Sequence, residues 1–441
     1  MGNIELMVKK IMARLLIFCA APVLYACDNE SKQNTNTHAD KIIVHCGLLI
    51  DGLSNQAKSD QTITILDGRI IDVADNIKAN HTIDLSDLTC LPGLIDTHTH
   101  ITEGPNLADL SVYYDLTLEE TMEVSRVNTA ITLAAGFTTV RNLGAYYGWA
   151  GKELRHRIER GDFPGPRIQT AGYYLTIPSG GGDLVIPGYP EEKIPAHVRL
   201  GVGRGAEDFA AKAKIAVDGG ADVLKAIASG AVLAFGGVPG SPEMTQDELS
   251  AAVEVAHAAN IKLTAHAHGA ESIKQAILAG ADSIEHASLA DDEAITLAVE
   301  NRVAFSMDIY NGDYISAVGE EEGWPEEFLR KNDETTEAQR QTFTKAHAAG
   351  VPIIYGTDAG VYPHGHNAKQ FRIMVERGMT SMEAIKSATS VAADFIGWED
   401  AVGAIEPGRY GDIIAVRGNP LEDITILENV EVVIKGGKRF N

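Results

Sequence analysis

The strongest constraint on the fold is a repeated alternation between short apolar runs and amphipathic helical segments. Stretches such as AEDFAAKAKIAVDGGAD and TQDELSAAVEVAHAAN separate eight apolar runs. Strands that alternate with helices predict a parallel sheet, and eight such strands close a (β/α)8 TIM barrel, an α/β fold. An open doubly wound sheet is the alternative, but no glycine-rich phosphate loop follows the first strand. The predicted strands are residues 94–100, 137–143, 167–172, 222–228, 262–268, 283–287, 302–308 and 352–358.

Both ends of the predicted barrel are flanked by β-rich sequence. Residues 41–91 contain KIIVHCGLLIDG and QTITILDGRIIDV, and residues 403–441 contain GRYGDIIAVRG and VEVVIKGG, all punctuated by turn residues. We therefore predict a small discontinuous β-sandwich domain formed by both termini. The barrel domain then covers residues 92–402.

The first 27 residues resemble an export signal. A basic segment, KKIMAR, precedes the apolar stretch LLIFCAAPVLYA, whose 12 residues are too few to span a bilayer. The sequence LYAC resembles a bacterial lipobox, in which Cys27 would become lipidated, and the polar residues 28–40 predict a flexible tether. We expect an exported, periplasmic protein with a lipid anchor. An ordinary cleaved signal and a cytoplasmic protein with a misassigned start are the alternatives.

The charge balance excludes some classes of partner. The chain has 61 acidic and 37 basic residues, a formal net charge of −24. Such a surface repels phosphate backbones and acidic lipids. We therefore expect a small-molecule substrate, no nucleic-acid partner, and membrane contact only through the lipid anchor.

Two cysteines lie outside the signal, and each is flanked by strand-like sequence. Four cysteines in 441 residues do not predict a disulfide framework. Buried free thiols are the simplest interpretation of Cys46 and Cys90. A disulfide between them is the alternative if the protein folds in an oxidising compartment.

Five of the eight predicted strands carry an unusual ligand-type residue, and a barrel builds its active site at the carboxyl ends of its strands. The two histidines of the first strand are two residues apart, so their side chains lie on the same face of the strand and can bind one metal ion. Each residue alone also has a structural explanation, such as a core histidine or a lysine whose ammonium reaches solvent. Their joint order favours a metal site. The six residues are His98, His100, Lys225, His266, His286 and Asp358.

This order of residues, H-x-H, Lys, His, His and Asp, resembles that of the amidohydrolase superfamily. The motifs LPGLIDTHTH, FTTVRNLG, FPGPRI, ADVLKAIASGAV, AHAHG, GTDAG and PHGHN are similar to its imidazolonepropionase-like branch. That branch contains dipeptidases, prolidases and N-acyl-amino-acid hydrolases, and the resemblance covers essentially the whole chain after the signal. It implies a metal-dependent hydrolase that cleaves the amide bond of dipeptides or N-acyl amino acids, aromatic amides of the ochratoxin type included.

The resemblance also implies a centre of two divalent metal ions, and zinc suits imidazole and carboxylate ligands. The histidines of the first strand and Asp358 would hold one ion, and those of the fifth and sixth strands the other. A lysine buried near metals has a depressed pKa and can react with carbon dioxide, so Lys225 would become N6-carboxylysine and bridge the ions. Asp358 would accept the proton of a shared hydroxide and deliver it to the leaving amine.

Other residues are candidates for contact with the substrate. His268 lies on the same side of its strand as His266 and would polarise the substrate carbonyl, unless it only supports a neighbouring ligand. His364, after the eighth strand, and Tyr310, after the seventh, are candidate substrate-binding residues. Residues 309–335 form an acidic, aromatic-bearing connection that is a candidate lid, although a solvated surface loop explains them more simply.

Two further functions compete with amide-bond hydrolysis of dipeptides and N-acyl amino acids. A cyclic-amide or imidazolone hydrolase is the alternative enzyme, but imidazolonepropionases lack the lysine that stands here at position 225. A lipoprotein binding module on an inactive barrel would lack a metal ligand, and none is missing. Homo-oligomers are frequent in the family, but the sequence leaves the oligomeric state of this chain open.

Overall fold

The computed structural model describes residues 41–75, 82–104 and 107–441. The predicted signal and tether, residues 1–27 and 28–40, therefore lie outside the described residues. Residues 41–441 form one compact unit. Within the described part of the chain, no helix has both the length and the apolar composition needed to cross a membrane.

Strands from both ends of the chain join in one seven-stranded sheet. The strands are β1 (Lys41–Leu49), β2 (Lys58–Leu66), β3 (Arg69–Asp75), β4 (Ile83–Pro92), β14 (Ile413–Val416), β15 (Val430–Lys435) and β16 (Lys438–Arg439). Their order in the sheet is β16-β15-β14-β4-β1-β2-β3, so the two ends of the chain meet at β4. Strand β4 pairs in parallel with β1 and antiparallel with β14, and the Thr89 hydroxyl donates to the carbonyl oxygen of Gly418, 329 residues away.

This sheet has a hydrophobic core of its own. Alternate residues of β2, Ile63 and Ile65, are buried in one cluster with Ile413 of β14. The same cluster contains Cys46 and Cys90, which form a disulfide. The interpretation of these two cysteines as free thiols was wrong, because β1 and β4 are neighbouring strands and bring the cysteine Cα atoms to 5.9 Å.

All eight predicted barrel strands are present in the predicted order. Every residue of β5, β6 and β9 is buried, as expected for strands covered on both faces. A short additional strand, β8 (Tyr174–Leu175), pairs with β9. The barrel strands are β5 (Leu94–Thr99), β6 (Phe137–Asn142), β7 (Arg167–Thr170), β9 (Val223–Ile227), β10 (Lys262–Gly269), β11 (Ser283–Leu289), β12 (Ala304–Ser306) and β13 (Ile353–Ile354).

Backbone hydrogen bonds connect the two groups of barrel strands. Strands β5 to β7 form one sheet, and β8 to β13 form the other. The Thr97 amide donates to the Tyr355 carbonyl at 2.8 Å, and the Asp358 amide donates to the His98 carbonyl at 2.7 Å. On the other side, the Asp222 amide donates to the Thr170 carbonyl at 2.9 Å. The carboxyl ends of β5 and β13 are thus held side by side.

Helices alternate with the barrel strands, and their ends carry clear stop and start signals. Capping boxes at Thr117 and Thr245 begin two of the helices, and Gly350 in the left-handed conformation ends the longest one. The helices are α1 (Val112–Asp115), α2 (Leu118–Ala134), α3 (Ala150–Arg160), α4 (Ala206–Asp218), α5 (Gln246–Ala258), α6 (Ala270–Ala279), α7 (Asp292–Asn301), α8 (Asn311–Glu322), α9 (Glu326–Ala349), α10 (Gln370–Glu376), α11 (Ser381–Ser387) and α12 (Ser390–Phe395).

Residues 309–335 are not the long loop that their sequence suggested. They form α8 and the beginning of α9. The two helices pack closely at Gly312, where a Cβ atom would stand 2.2 Å from the Thr336 hydroxyl. Glu320 and Glu321 are exposed on α8, so the acidity of the segment lies on the protein surface.

Candidate metal centre

The six ligand-type residues predicted from the sequence converge at the carboxyl ends of the barrel strands. All are buried except His100, which is partly exposed. Asp358 Oδ1 lies 3.3 Å from His98 Nε2 and 3.0 Å from His100 Nε2. Lys225 Nζ lies 3.4 Å from His98 Nε2. Five strands therefore deliver one cluster of nitrogen and oxygen donors.

His286 lies between the two halves of this cluster. Its ring centroid is 5.2 Å from that of His98 and 4.5 Å from that of His266. Ligand atoms of His266, His268 and His286 lie within 4.8 Å of one another, and so do those of His98, His286 and Asp358. His268, which the sequence places near the substrate, is thus also within reach of a metal site.

The backbone is strained at two of these residues. His286 has a φ of 72° and Asp358 a φ of 57°. Both values lie in the left-handed region, which residues other than glycine rarely adopt. Such conformations cost on the order of 1–3 kcal/mol each and concentrate at functional sites. The fold holds both side chains in orientations that an ordinary strand end would not give.

The histidine rings are oriented by partners outside the cluster. His98 Nδ1 lies 2.8 Å from Glu285 Oε2, and His286 Nδ1 lies 2.8 Å from Asp308 Oδ1. His100 Nδ1 lies 3.0 Å from the hydroxyl of Tyr174. The Nδ1 atoms of His100 and His286 are hydrogen-bonded and that of His98 faces a carboxylate, so the Nε2 atoms of the three rings are left for a ligand in the cluster.

One buried nitrogen tests whether a metal ion fits. His266 Nε2 is buried and has no hydrogen-bond partner among the described residues. Leaving such an atom unsatisfied costs about 1–3 kcal/mol, and coordination to a cation would satisfy it. Imidazole nitrogens with a carboxylate are the donor set of Zn²⁺ and related divalent ions. The residues present therefore fit a divalent metal.

Burial sets the protonation states in the cluster. It lowers the pKa of Lys225 to about 8, that of His98 to about 4 and that of His268 to about 3. Burial alone would raise the pKa of Asp358, but the neighbouring rings of His98 and His100 outweigh it and hold that pKa below its usual range. His98 and His268 are therefore neutral and Asp358 is ionised at pH 7, which are the forms that bind metal. The hydrogen bond to Asp358 outweighs burial and raises the pKa of His100, and Lys225 with a pKa of about 8 is still mostly protonated at pH 7.

Several polar residues of the centre were not identified from the sequence. Glu285 is fully buried and receives a hydrogen bond of 3.0 Å from Arg141. Asp308 accepts hydrogen bonds from Gln339 at 2.9 Å and from Asn311 at 2.6 Å. A charged residue inside an apolar run, as in SIEHA and FTTVRNL, was the signal that could have revealed the first pair.

The structure does not bring His364 or Tyr310 to the cavity above the cluster. His364 is buried, with Nδ1 at 3.1 Å from the Thr132 hydroxyl of α2. Tyr310 packs against Tyr362, with ring centroids 5.1 Å apart. Both were predicted to contact substrate, and neither lines the cavity. His364, in the turn after β13, and Tyr310, at the start of α8, are both buried instead.

The cluster forms the floor of a cavity of about 160 Å³. Gly181 and Gly182 line it from the segment after β8, and Asn311, Ile315 and Gln339 line it from α8 and α9. The described lining is part apolar and part polar, as in sites for small molecules. A small molecule in this cavity would lie against the cluster of ligand-type residues.

The sequence model of the amidohydrolase family matches residues 89–440. The chain belongs to the amidohydrolase family. A Xaa-Pro dipeptidase structure with bound methionine is 37% identical, with a TM-score of 0.85, and the match covers 91% of this chain and 100% of that one. A prolidase complexed with N-methylphosphonate-L-proline is 28% identical, with a TM-score of 0.84, and the match covers 91% and 99% of the two chains.

Another relative is named for a substrate other than a proline dipeptide. The ochratoxinase of Aspergillus niger is 29% identical over an alignment of 451 positions, which covers 95% of this amidohydrolase and 89% of the relative. These matches span both the barrel and the terminal sheet, so the family fold applies to the whole described part. This amidohydrolase is therefore a hydrolytic enzyme that acts on amide bonds.

Proposed function

We propose that this amidohydrolase cleaves the amide bond of dipeptides or N-acyl amino acids at a centre of two divalent metal ions. The observation that carries the proposal is the position of Lys225. Its ammonium nitrogen is buried among the histidines and lies 3.4 Å from His98 Nε2. A cationic lysine beside two metal ions would be repelled, so a centre with two bound ions requires Lys225 to lose its positive charge.

We propose that this change is carboxylation. The neutral Lys225 amine attacks the carbon of carbon dioxide, a C–N bond forms, and the nitrogen releases one proton. The product is an anionic carbamate with two oxygens, which suits a position between two cations. His98, His100 and Asp358 would hold one ion and His266 and His286 the other, with zinc favoured by the donor set.

Bound divalent ions would lower the pKa of a water molecule and polarise the scissile carbonyl. Asp358 would take the proton of that water and deliver it to the leaving nitrogen, as a carboxylate at the cavity floor can do. Its Oδ2 accepts a hydrogen bond of 3.1 Å from Asn311, which fixes the plane of the carboxylate. His268 would orient the substrate carbonyl, because its ring lines the cavity and its Nδ1 lies 2.8 Å from the Ser288 hydroxyl.

The relatives support the proposed substrate class. One acts on Xaa-Pro dipeptides, one binds an N-methylphosphonate derivative of proline, and one is named for ochratoxin. Dipeptides and N-acyl amino acids share an amide bond to an amino acid, which is the bond we propose is cleaved. A cyclic amide is the alternative substrate.

Metal analysis of purified protein tests the centre. We expect close to two metal ions per chain in the wild type, and loss of most of the metal and activity in Lys225→Ala. Lys435→Ala is the matched control, because burial also lowers the pKa of Lys435 to about 8 but its ammonium contacts the Gly165 carbonyl, away from the cluster. Wild-type metal content or turnover in Lys225→Ala contradicts the proposal.

A substrate screen tests the reaction. Dipeptide and N-acyl-amino-acid libraries are incubated with the wild-type enzyme, and release of the free amine is measured. We expect turnover within these two classes that disappears on chelation and returns with Zn²⁺. Hydrolysis of cyclic amides alone would favour the alternative substrate.

A further inference from the structure

One part of the cavity wall combines a carboxylate with three tyrosines. Glu103, Tyr113, Tyr146 and Tyr174 all line the cavity, and we call them the acidic aromatic wall. The ring centroids of Tyr113 and Tyr146 are 5.2 Å apart, and those of Tyr146 and Tyr174 are 5.3 Å apart. The rings are therefore contiguous and surround the same end of the cavity as Glu103.

Glu103 keeps part of its bonding capacity free. Its Oε1 accepts a hydrogen bond of 2.8 Å from the Tyr146 amide and a long one of 3.5 Å from the Tyr174 hydroxyl. Among the described residues, none donates a hydrogen bond to its Oε2, and no lysine or arginine pairs with it. Burial raises the pKa of this carboxyl group and outweighs the opposing attraction of the His100 ring.

The other charges of the cavity belong to the metal centre. Asp308 and Asp358 are engaged with His286 and His100, and Lys225 is the only lysine or arginine among the described lining residues. Glu103 is thus the one lining carboxylate that no centre residue contacts directly. A substrate carboxylate would meet no cationic side chain on the described wall, whereas a substrate ammonium would meet an anion.

We propose that the acidic aromatic wall binds a cationic nitrogen of the substrate. Glu103 Oε2 accepts a charge-assisted hydrogen bond from the ammonium group, and the tyrosine faces add cation–π attraction. This inference rests on the proposed function and narrows its substrate class to amides that carry a primary ammonium group. The ammonium is either the free α-amino group of a dipeptide or the side chain of a lysine residue.

A second role for Glu103 must be separated from this one. Through Tyr174, whose hydroxyl lies 3.0 Å from His100 Nδ1, it could instead position a metal ligand. Glu103→Gln distinguishes the two roles, because the glutamine carbonyl still accepts the hydrogen bond from the Tyr146 amide while the charge is lost. A substrate-binding role predicts an effect limited to cationic substrates. A positioning role predicts an effect on every substrate and on the metal.

The experiment compares matched substrates that differ by one charge. Ala-Phe and propionyl-Phe differ in the α-ammonium, and propionyl-Lys and propionyl-norleucine differ in the side-chain ammonium. With the metal-loaded enzyme, we expect Glu103→Gln to lower kcat/KM by about tenfold for the cationic member of one pair and to leave the neutral member unchanged. The pair that responds identifies which ammonium binds.

Glu243→Gln is the matched control. Glu243 also accepts a backbone amide hydrogen bond, of 2.8 Å from Gly181, but it does not line the cavity. We expect Glu243→Gln to hydrolyse both substrates of each pair with the kcat/KM of the wild type. Equal losses for cationic and neutral substrates in Glu103→Gln, loss of its metal, or no loss at all would overturn the inference.

A binding measurement keeps the inference separate from the proposed reaction. The phosphinic isostere of Ala-Phe and its deamino analogue are titrated calorimetrically into metal-loaded wild type and Glu103→Gln, with the matching lysine and norleucine isosteres as the second arm. We expect an approximately tenfold weaker Kd in the variant for one ammonium-bearing isostere only. If the enzyme hydrolyses none of the four amides but the variant still binds one ammonium-bearing isostere more weakly, the proposed function is contradicted and the inference about the wall is not. Equal or absent binding in both arms overturns the inference.

Discussion

The residues that orient the histidines matter as much for the centre as the histidines themselves. Asp308 lies 2.8 Å from His286 Nδ1 and is held in turn by Gln339 and Asn311. A carboxylate at this position fixes the ring and makes the opposite nitrogen a better ligand. Because His286 stands near both halves of the cluster, its orientation affects both proposed metal sites.

We therefore predict that Asp308→Asn weakens metal binding by about 10- to 100-fold. The amide keeps the size of the side chain but removes the charge that holds the His286 proton. Competition with a chromophoric chelator measures the affinity. Asp313→Asn is the control, because Asp313 is more exposed and pairs with Arg340 instead. Unchanged affinity in Asp308→Asn would show that the ring is held by packing alone.

The sequence predicted the candidate ligands better than their supports. The positions of His98, His100 and Asp358 follow from strand ends, which every barrel brings together at one edge. Glu285 lies inside a predicted strand and Asp308 ends the seventh one, but their contacts with His98 and His286 join different strands, and no spacing along the chain encodes those contacts. The side chains of His364 and Tyr310 do not line the described cavity, because the direction of a side chain after a strand depends on the turn that follows.

At the scale of elements, the disulfide joins two neighbouring strands of the terminal sheet. Cys46 and Cys90 are separated by 44 residues, and β2 and β3 lie between them in the chain. Cross-linking them limits the unfolded chain more than the folded one. The bond therefore stabilises the part of the sheet that begins at β1.

We predict that Cys46→Ser lowers the free energy of unfolding by about 4 kcal/mol, the chain-entropy value for a loop of this length. Denaturant unfolding with and without a thiol reductant measures the difference. The reductant should destabilise the wild type and leave Cys46→Ser unaffected. A wild type that is insensitive to the reductant under unfolding conditions would mean that the cysteines are not bonded in solution.

Element types were predictable where periodicity was strong and less so elsewhere. All eight barrel strands lie within or close to their predicted ranges, because apolar runs bounded by helical patterns leave little choice. Residues 309–335 contain glycine, proline and an acidic run, which suggested a loop. The contact of Gly312 with Thr336 stabilises two helices there instead, and that contact joins residues too far apart for a local pattern to reveal.

At the scale of the whole molecule, the location of the protein in the cell stays a prediction. The disulfide is favoured in an oxidising compartment, which agrees with the export expected from the signal-like residues 1–27. We predict that Cys27→Ser moves the protein from the membrane fraction to the soluble periplasmic fraction. Cys19→Ser, inside the apolar stretch, should leave it at the membrane. Immunoblots of fractionated cells measure this, and an unchanged distribution of Cys27→Ser would exclude lipid anchoring.

The overall architecture was the most predictable level of all. Eight strand–helix repeats flanked by β-rich ends leave one economical arrangement, and the pairing of β4 with β14 has the two ends meeting as expected. The identity of the substrate was the least predictable. It depends on wall residues such as Glu103 and Tyr146, whose proximity appears only when the barrel is folded.

The pairing of β4 with β14 has a consequence for the order of events during synthesis. The hydrogen bond from Thr89 to Gly418 joins residues 329 positions apart. A ribosome adds about 5–20 residues per second, so β4 waits on the order of tens of seconds for its partner strand. During that time its edge is open to other chains. A chaperone that binds extended apolar segments would therefore be of most use to this protein before its last thirty residues are made.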